Sequence, residues 1–420
     1  MLASLAKITL DSYTPIHKIN RNSVYKKVII LMKLISIKFD HVKMFKDGLF
    51  GFDFFAEDRV PKRDESVLQL GESIYQNNII ATAGVNASGK TTVLSLIRTT
   101  LDILKGYAPS KRLHELFDGE TNAQLVFWSK AKLYLLKVTL EERAHLLDSD
   151  ARSAMHFVHE ELYRLDGKLS KKDLVDVDGL LHQGGWRLVQ DRRSLEESQN
   201  LLLGDDGSIV RILRDPPSSL YIDAFDHHRS PFDKEEYTDE ILRLFDASIE
   251  HVDVKDDGSF GLSFAGREEE FRLSSQEAIE AVLSSGTVKG YFLVRQALMA
   301  LRFGAYCLVD EIEVHLNKQL VTVIINLFAT RETNPNGAVL VFTTHYPELL
   351  DSVHRKDNVY FLVRDRNHLI SVVKYSDHIS RIENKKSEVF LSNYIDGTSP
   401  NYTDVRALHE TVKRVVAEPW

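Results

Sequence analysis

The stretch Ala83-Gly84-Val85-Asn86-Ala87-Ser88-Gly89-Lys90-Thr91-Thr92 limits the possible folds of this chain more than any other. It matches the pattern G-x-x-x-x-G-K-[ST], in which the end glycines let successive backbone N–H groups turn inward around phosphate oxygens. Lys90 is then set to reach β- and γ-phosphates, and the Thr91 hydroxyl to hold Mg²⁺ at a helix start. Ile79, Ile80 and Ala81 before the loop read as a short buried strand, and Val93, Leu94, Leu96 and Ile97 after it recur at helical spacing. Strand, loop and helix in that order predict an α/β fold of P-loop NTPase type. Gly84, Asn86, Ala87, Ser88, Gly89, Lys90, Thr91 and Thr92 are its expected ATP-binding residues.

Composition removes several alternatives. A chain of 420 residues with 43% hydrophobic content has room for a substantial core, in two or three domains or in one large elaborated domain. A net charge of −8 with a pI near 6.1 argues against a mainly electrostatic nucleic-acid binder, while leaving open a local basic groove formed on assembly. The one cysteine, Cys307, lies in the apolar run Tyr306–Val309, so it reads as a core residue in a reducing compartment. The run Val28–Ile35 is too short for a bilayer span and is broken by Lys33; with no signal-peptide pattern, the chain reads as soluble and cytoplasmic, with no membrane partner.

Four regions follow from the patterning. Residues 1–31 are basic and weakly patterned, an upstream extension or loosely ordered arm, and Met32 reads as the functional start. Residues 32–140 hold strands at Leu34–Phe39 and Leu49–Phe55 joined by a turn at Lys46-Asp47-Gly48, then the phosphate loop and its helix to Lys105. A strand pair at Gln124–Phe127 and Lys132–Leu140 completes a mixed sheet. Phe45, at the turn, is expected to pack in the hairpin in preference to stacking on adenine. Residues 141–280 read as a large, mostly helical inserted lobe, with helical stretches at Glu141–Leu147 and Ala154–Leu165 and strands at Ile249–Val254 and Phe260–Phe264. Residues 281–420 return to strong patterning: a helix from Val288 to Phe303, buried strands at Tyr306–Val309 and Ala338–Phe342, a helix at Leu320–Phe328, and strands at Val359–Val363 and Ile370–Tyr375.

The chemistry-bearing residues cluster in that last region. Asp310 ends an apolar strand, where a P-loop protein holds the Mg²⁺ water shell, so Thr91 and Asp310 are the expected metal residues. Glu311 beside it is placed to polarise an attacking water. Leu283-Ser284-Ser285-Gly286-Thr287 puts hydroxyls and a glycine at a helix N-terminus, an anion-binding arrangement. Glu313 and His315 either support the site or cap their segment. Asp223, Asp226, His227 and His228 read as a solvated loop in preference to a metal site. Arg381, Lys385 and Lys386 read as a solvated face.

The order GVNASGKT, LSSGT, LVDEIE, TTH resembles that of ABC-type ATPase heads over about half the chain. LSSGT resembles the signature loop, and His345 matches the switch histidine. More narrowly, DEIEVHLNK, FTTHYPELLD, RIENKKSEVF and NYIDGTSPNY resemble the stand-alone AAA-type ATPases of bacterial defence systems, similar to the ATPase of the AbiL abortive-infection system and more distantly to PARIS, Septu and OLD-type proteins. The resemblance implies ATP and Mg²⁺ as cofactors and an ATP sandwich between two heads. In it, Ser284, Ser285 and Gly286 of one copy close on nucleotide held by the other, Glu311 acts as base and His345 holds the γ-phosphate. It also implies a homodimer or higher oligomer, and a protein effector, often a nuclease, encoded nearby. Two departures stand: the signature reads SSGT where transporter heads have SGGQ, and no glutamine loop is identifiable beyond the candidates Gln124 and Gln190.

The expected function is therefore an ATP hydrolase whose ATP-dependent head dimerisation controls a separate effector in antiviral defence. Two alternatives remain: a RecF-like DNA-repair clamp, for which nucleic acid is a partner, and a scaffold that binds ATP without turning it over.

Overall fold

A computed structural model describes residues 32–109, 115–142, 155–167, 174, 185–213, 221–223, 237–365, 367–379, 384–398 and 402–417. The expectations for residues 1–31, for most of Glu141–Leu147, and for Asp226, His227, His228 and Arg381 lie outside them.

The chain begins with β1 (Lys33–Phe39), β2 (Phe50–Asp53), β3 (Val67–Gln69), β4 (Tyr75–Asn77), β5 (Ile79–Gly84) and helix α1 (Lys90–Lys105). Strands β6 (Thr121–Ser129), β7 (Lys132–Glu142), β8 (Met155–Leu165), β9 (Trp186–Asp191) and β10 (Tyr221–Asp223) follow. Next come β11 (Ile249–Val254), β12 (Phe260–Phe264) and β13 (Phe271–Leu273), then helix α2 (Ser285–Phe303) and β14 (Tyr306–Val309). Helix α3 (Lys318–Ala329), β15 (Val339–Thr344), β16 (Val359–Arg364) and β17 (Ile370–Lys374) bring the chain to its last third, where a final helix spans Tyr402–Ala417.

Two large sheets result. The first has the order β10-β14-β15-β5-β16-β17, parallel throughout except for β17. Its three central strands are buried at every position, which a parallel sheet covered on both faces requires. Alternate side chains divide between two cores: Ile79, Ala81, Cys307, Val309, Leu340 and Phe342 face α2 and α3, whereas Ile80, Tyr306, Leu308, Val339 and Val341 face α1 and β1. The second sheet is antiparallel, with the order β2-β1-β6-β7-β8-β9. The strands expected to form one mixed sheet thus form two, joined through the core beneath α1.

This α/β architecture is the one expected, with a further correction besides the division into two sheets. Residues 155–165 form strand β8, not a helix, and β8 and β9 extend the antiparallel sheet beyond residue 140. Met155, Phe157, Glu160, Leu162 and Leu165 are buried, in a period-two pattern that ladder irregularities shift, and the bulge hides the alternation from a sequence reading. The described part of residues 141–280 is therefore sheet-rich, with short helices only at Glu197–Leu203, Thr238–Phe245 and Gln276–Val282.

A buried lysine ties β1 to the base of the parallel sheet. Lys33 Nζ donates to the carbonyls of Gly304 (2.8 Å) and Gly337 (2.6 Å), the first of which ends α2. Carbonyls at a helix C-terminus suit a cation, yet burial pushes this ammonium down to about 7. Beside it the Tyr306 hydroxyl accepts from Leu34 N (2.6 Å) and Gln76 Nε2 (2.7 Å).

Candidate nucleotide-binding site

Register brings the chemistry to one edge. Val309 pairs with Phe342, Thr344 with Ala83, and Leu362 with Gly84, so the residues that follow β5, β14, β15 and β16 leave the parallel sheet together at its C-terminal edge. Open α/β sheets bind ligands there. The loop after β5 is built around its glycines: a Cβ on Gly84 would collide with Ser88 Oγ and meet the Leu362 carbonyl at 2.9 Å. Gly89 has φ of +96°, and Ala87 also takes a left-handed conformation (φ 59°). Positive φ turns successive amides to one side, the nest that receives an anion. Ser88 Oγ is buried at the centre of this turn with no hydrogen-bond partner.

A cleft of about 610 Å³ opens over the loop, lined by Asn86 to Thr92, Glu311, His345, Met44, Arg364 and Ile370. Lys90 Nζ donates to the carbonyls of Gly84 (2.8 Å) and Val85 (3.0 Å) and lies 3.2 Å from His345 Nδ1. Burial lowers the Lys90 pKa, against the opposing pull of Glu311, Asp310 and Glu313. An ammonium only donates, so His345 Nδ1 accepts from it, and Nε2 must carry the proton that His345 shares with Glu311 Oε1 at 2.9 Å.

Across the loop, Thr91 Oγ1 donates to Asp310 Oδ2 (2.6 Å) and Thr343 Oγ1 to Asp310 Oδ1 (2.5 Å). Thr343 Oγ1 in turn accepts from Glu311 N (2.8 Å), and Glu311 itself has a left-handed backbone (φ 46°). Strain at such a residue persists only where its surroundings hold it; here the Thr343 hydroxyl does. Glu313 is buried and its Oε1 accepts from His345 N (2.6 Å). A hydroxyl and a carboxylate side by side are hard oxygen donors of the kind Mg²⁺ takes, and the loop beside them is shaped for phosphate. The residues present thus fit both groups.

Ser284, Ser285 and Gly286 stand apart from this cleft. Ser284 caps α2, its Oγ accepting from Thr287 N (3.0 Å), and Ser284 and Ser285 are exposed. Ser285 Oγ lies 3.2 Å from His315 Nδ1, and a Cβ on Gly286 would meet the His315 carbonyl at 2.6 Å. His315 therefore belongs with Ser285 and Gly286, and Glu313 with His345.

Several expectations resolve in detail. Phe45 is buried edge-on to Phe50 at 5.4 Å, so hairpin packing accounts for it, and its neighbour Met44 faces the cleft. Gln124 and Gln190 lie on β6 and β9 of the antiparallel sheet and do not line the cleft. Asp223 ends β10, and among the described residues no group of three acidic, His or Cys side chains is gathered for a metal. Lys386 is not on a solvated face: it donates to the Val353 carbonyl (2.7 Å) and, with Ser387 bonded to Asp351, fastens the helix Lys386–Leu391 to residues 347–353. Lys385 does face solvent, 3.3 Å from Glu388. Sequence reasoning passed over Thr343, Arg364, Met44 and Ile370. Only Thr343 had a sequence signal, its position at the end of a buried strand one place before Thr344-His345. No helix among the described residues is long and apolar enough to cross a membrane.

No family model matches the chain, and no curated protein matches it in sequence. Among solved structures, the SMC head domain from Thermotoga maritima aligns with a TM-score of 0.39 at 11% identity, over 81% of this chain and 98% of that chain.

Proposed function

We propose that this chain is a Mg²⁺-dependent ATP hydrolase that works as a homodimer or higher oligomer of ATP-sandwiching heads. The reading is carried by one observation: Lys90, Thr91, Glu311 and His345 line a single cleft, with Asp310 bonded to Thr91 behind it, while Ser284, Ser285 and Gly286 do not line it. Gly84, Asn86, Ala87, Ser88, Gly89 and Thr92 receive the phosphates through their amides, Lys90 swings from its carbonyl partners to the β- and γ-oxygens, and Thr91 with Asp310 would hold Mg²⁺. Bound there, Mg²⁺ would neutralise charge on the β- and γ-oxygens. Glu311 takes a proton from water as its oxygen bonds to the γ-phosphorus and the bond to the β-phosphate oxygen breaks. His345 orients Glu311 through its Nε2–H. Ser284 and Gly286 of a second copy close over the γ-phosphate, so that hydrolysis releases the pair, a two-state switch.

Biologically, we assign the switch to control of a separate effector, of nuclease type, in antiphage defence. The segments DEIEVHLNK, FTTHYPELLD, RIENKKSEVF and NYIDGTSPNY support this through their likeness to defence ATPases.

Glu311→Gln tests the enzyme. It should lower turnover by about 100-fold or more, in the range seen when a positioned general base is lost, and hold a closed ATP-bound dimer on size-exclusion chromatography. Unchanged turnover and assembly would remove Glu311 from the proposed role.

A further inference from the structure

The cleft has a cation that the reading above does not use. Arg364 is the last residue of β16, two places beyond Leu362, which is registered with Gly84. It therefore extends past the sheet edge beside the phosphate loop and lines the same cleft. Its side chain is half-buried, and its Nε is enclosed with no hydrogen-bond partner. Among the described residues no carboxylate forms an ion pair with it, whereas Arg192 and Arg355, also withdrawn from solvent, are each paired with carboxylates at 2.8 Å or less. Guanidinium groups in such positions are held by oxyanions, because a buried charged donor left unpaired costs stability.

The position indicates which part of a ligand it meets. In the strand order β14-β15-β5-β16-β17, Asp310 and His345 lie on one flank of the loop strand and Arg364 on the other. Phosphate oxygens turned away from Thr91 and Asp310 would therefore face Arg364. Beyond it, Ile370 stands directly opposite Arg364 in the β16–β17 ladder and packs against Gly89, where a Cβ would meet Ile370 Cδ1 at 2.5 Å. Ile370 N is bonded to the Met44 carbonyl (2.7 Å), and Met44, itself left-handed (φ 67°), completes an apolar wall. Arg364 thus lines the cleft together with the phosphate cradle and with Ile370 and Met44, an apolar surface suited to an uncharged nucleoside.

We propose that Arg364 is a second nucleotide-binding cation, acting in cis on the α-phosphate from the side opposite the metal pair. This inference rests on the cleft taking a nucleoside triphosphate. Because it assigns the contact to a phosphate that ATP and ADP share, it differs from a γ-phosphate sensor.

The test is equilibrium binding of MgATP and MgADP to the wild type, Arg364→Gln, Arg364→Lys and Lys90→Ala by calorimetry, with the thermal midpoint of each ligand-free protein as a folding check. Loss of one charge-assisted contact should weaken ATP and ADP alike in Arg364→Gln, by about 10- to 100-fold, with partial recovery in Arg364→Lys and no loss of thermal stability. Unchanged affinity in Arg364→Gln, alongside a wild type that binds and a Lys90→Ala protein that does not, overturns this inference alone. Weakening of ATP but not ADP moves the guanidinium to the γ-phosphate and also overturns it. A wild type that binds neither nucleotide overturns the nucleotide reading and this inference together.

Discussion

Replacing Thr343 by valine keeps the shape of the side chain and removes one hydroxyl, which has two partners. Its hydrogen goes to Asp310 Oδ1 at 2.5 Å and its oxygen receives Glu311 N at 2.8 Å, in a side chain with no exposed surface. A hydrogen bond to a charged group is worth about 1.5–3 kcal/mol, and a buried N–H left without an acceptor costs about 1–3 kcal/mol. The two share one atom and do not add in full, and Asp310 keeps Thr91 as a donor, so the expected destabilisation is about 2–4 kcal/mol. The functional effect should be larger than this implies. Thr343 holds one oxygen of the Asp310 carboxylate, as Thr91 holds the other, and also receives the N–H of left-handed Glu311, and loss of such an outer partner typically costs about 10- to 100-fold in metal affinity or activity. ATP turnover measured across a Mg²⁺ titration, with a urea unfolding curve on the same protein, separates the two effects. Thr343→Val should need more Mg²⁺ for half-maximal turnover, or turn over more slowly at saturation, and Thr343→Ser should restore both. A Thr343→Val protein with wild-type turnover and Mg²⁺ dependence would refute this account of how the two acids are positioned.

Other expectations test separate parts of the molecule. Lys90→Ala should abolish both ATP binding and ATP-driven pairing; a Lys90→Ala protein that still dimerises on addition of ATP would refute the shared site. Gly286→Ala should disrupt the signature stretch through the His315 carbonyl, and mixing it with Lys90→Ala should recover at most one working composite site per pair, read as turnover against mixing ratio. Glu160 is buried and bonded to Ser208, Arg192 and Ile209 N, and burial raises it to about 7 despite those partners. The folded state then holds a proton that the unfolded state has lost between about pH 4.5 and 7, so wild-type stability should fall as pH rises through that window. Glu160→Gln should flatten that part of the stability curve; an unchanged slope would show that Glu160 stays ionised in the fold.

The sequence made the loop strand, its helix and the strand before Asp310 legible because each is a buried run bounded by residues with strong local preferences: Gly84 and Gly89 around the turn, Ser284 at a helix cap. Asp310, Glu311 and His345 stood out by type and order, and the fold brings them together beside the loop, Asp310 bonded to Thr91 and His345 to Glu311. Residues 155–165 were misread because His156, His159 and Glu161 look like a solvated helix face, and the pairing that makes them a strand is supplied by β7, not by their neighbours in sequence. Arg364 and Met44 were invisible for a related reason. Neither belongs to a local pattern; they reach the cleft because β16 lies beside β5 and because Ile370 holds the first hairpin turn. The division of Glu313 and His315 between two parts of the molecule likewise depends on contacts with residues 30 or more positions away.

The central place of β5 has a consequence for how the protein is made. Its two neighbours are β15 and β16, which come from residues 339–344 and 359–364, and it has no earlier partner in its sheet. During synthesis the strand that carries the phosphate loop therefore emerges from the ribosome some 250 residues before anything that can flank it. Loop closure over such separations is slow, and exposed apolar strands are open to misassociation meanwhile. Nascent chains stalled before residue 339 should lack nucleotide binding altogether, and the cell's chaperones should meet the loop strand well before any nucleotide does.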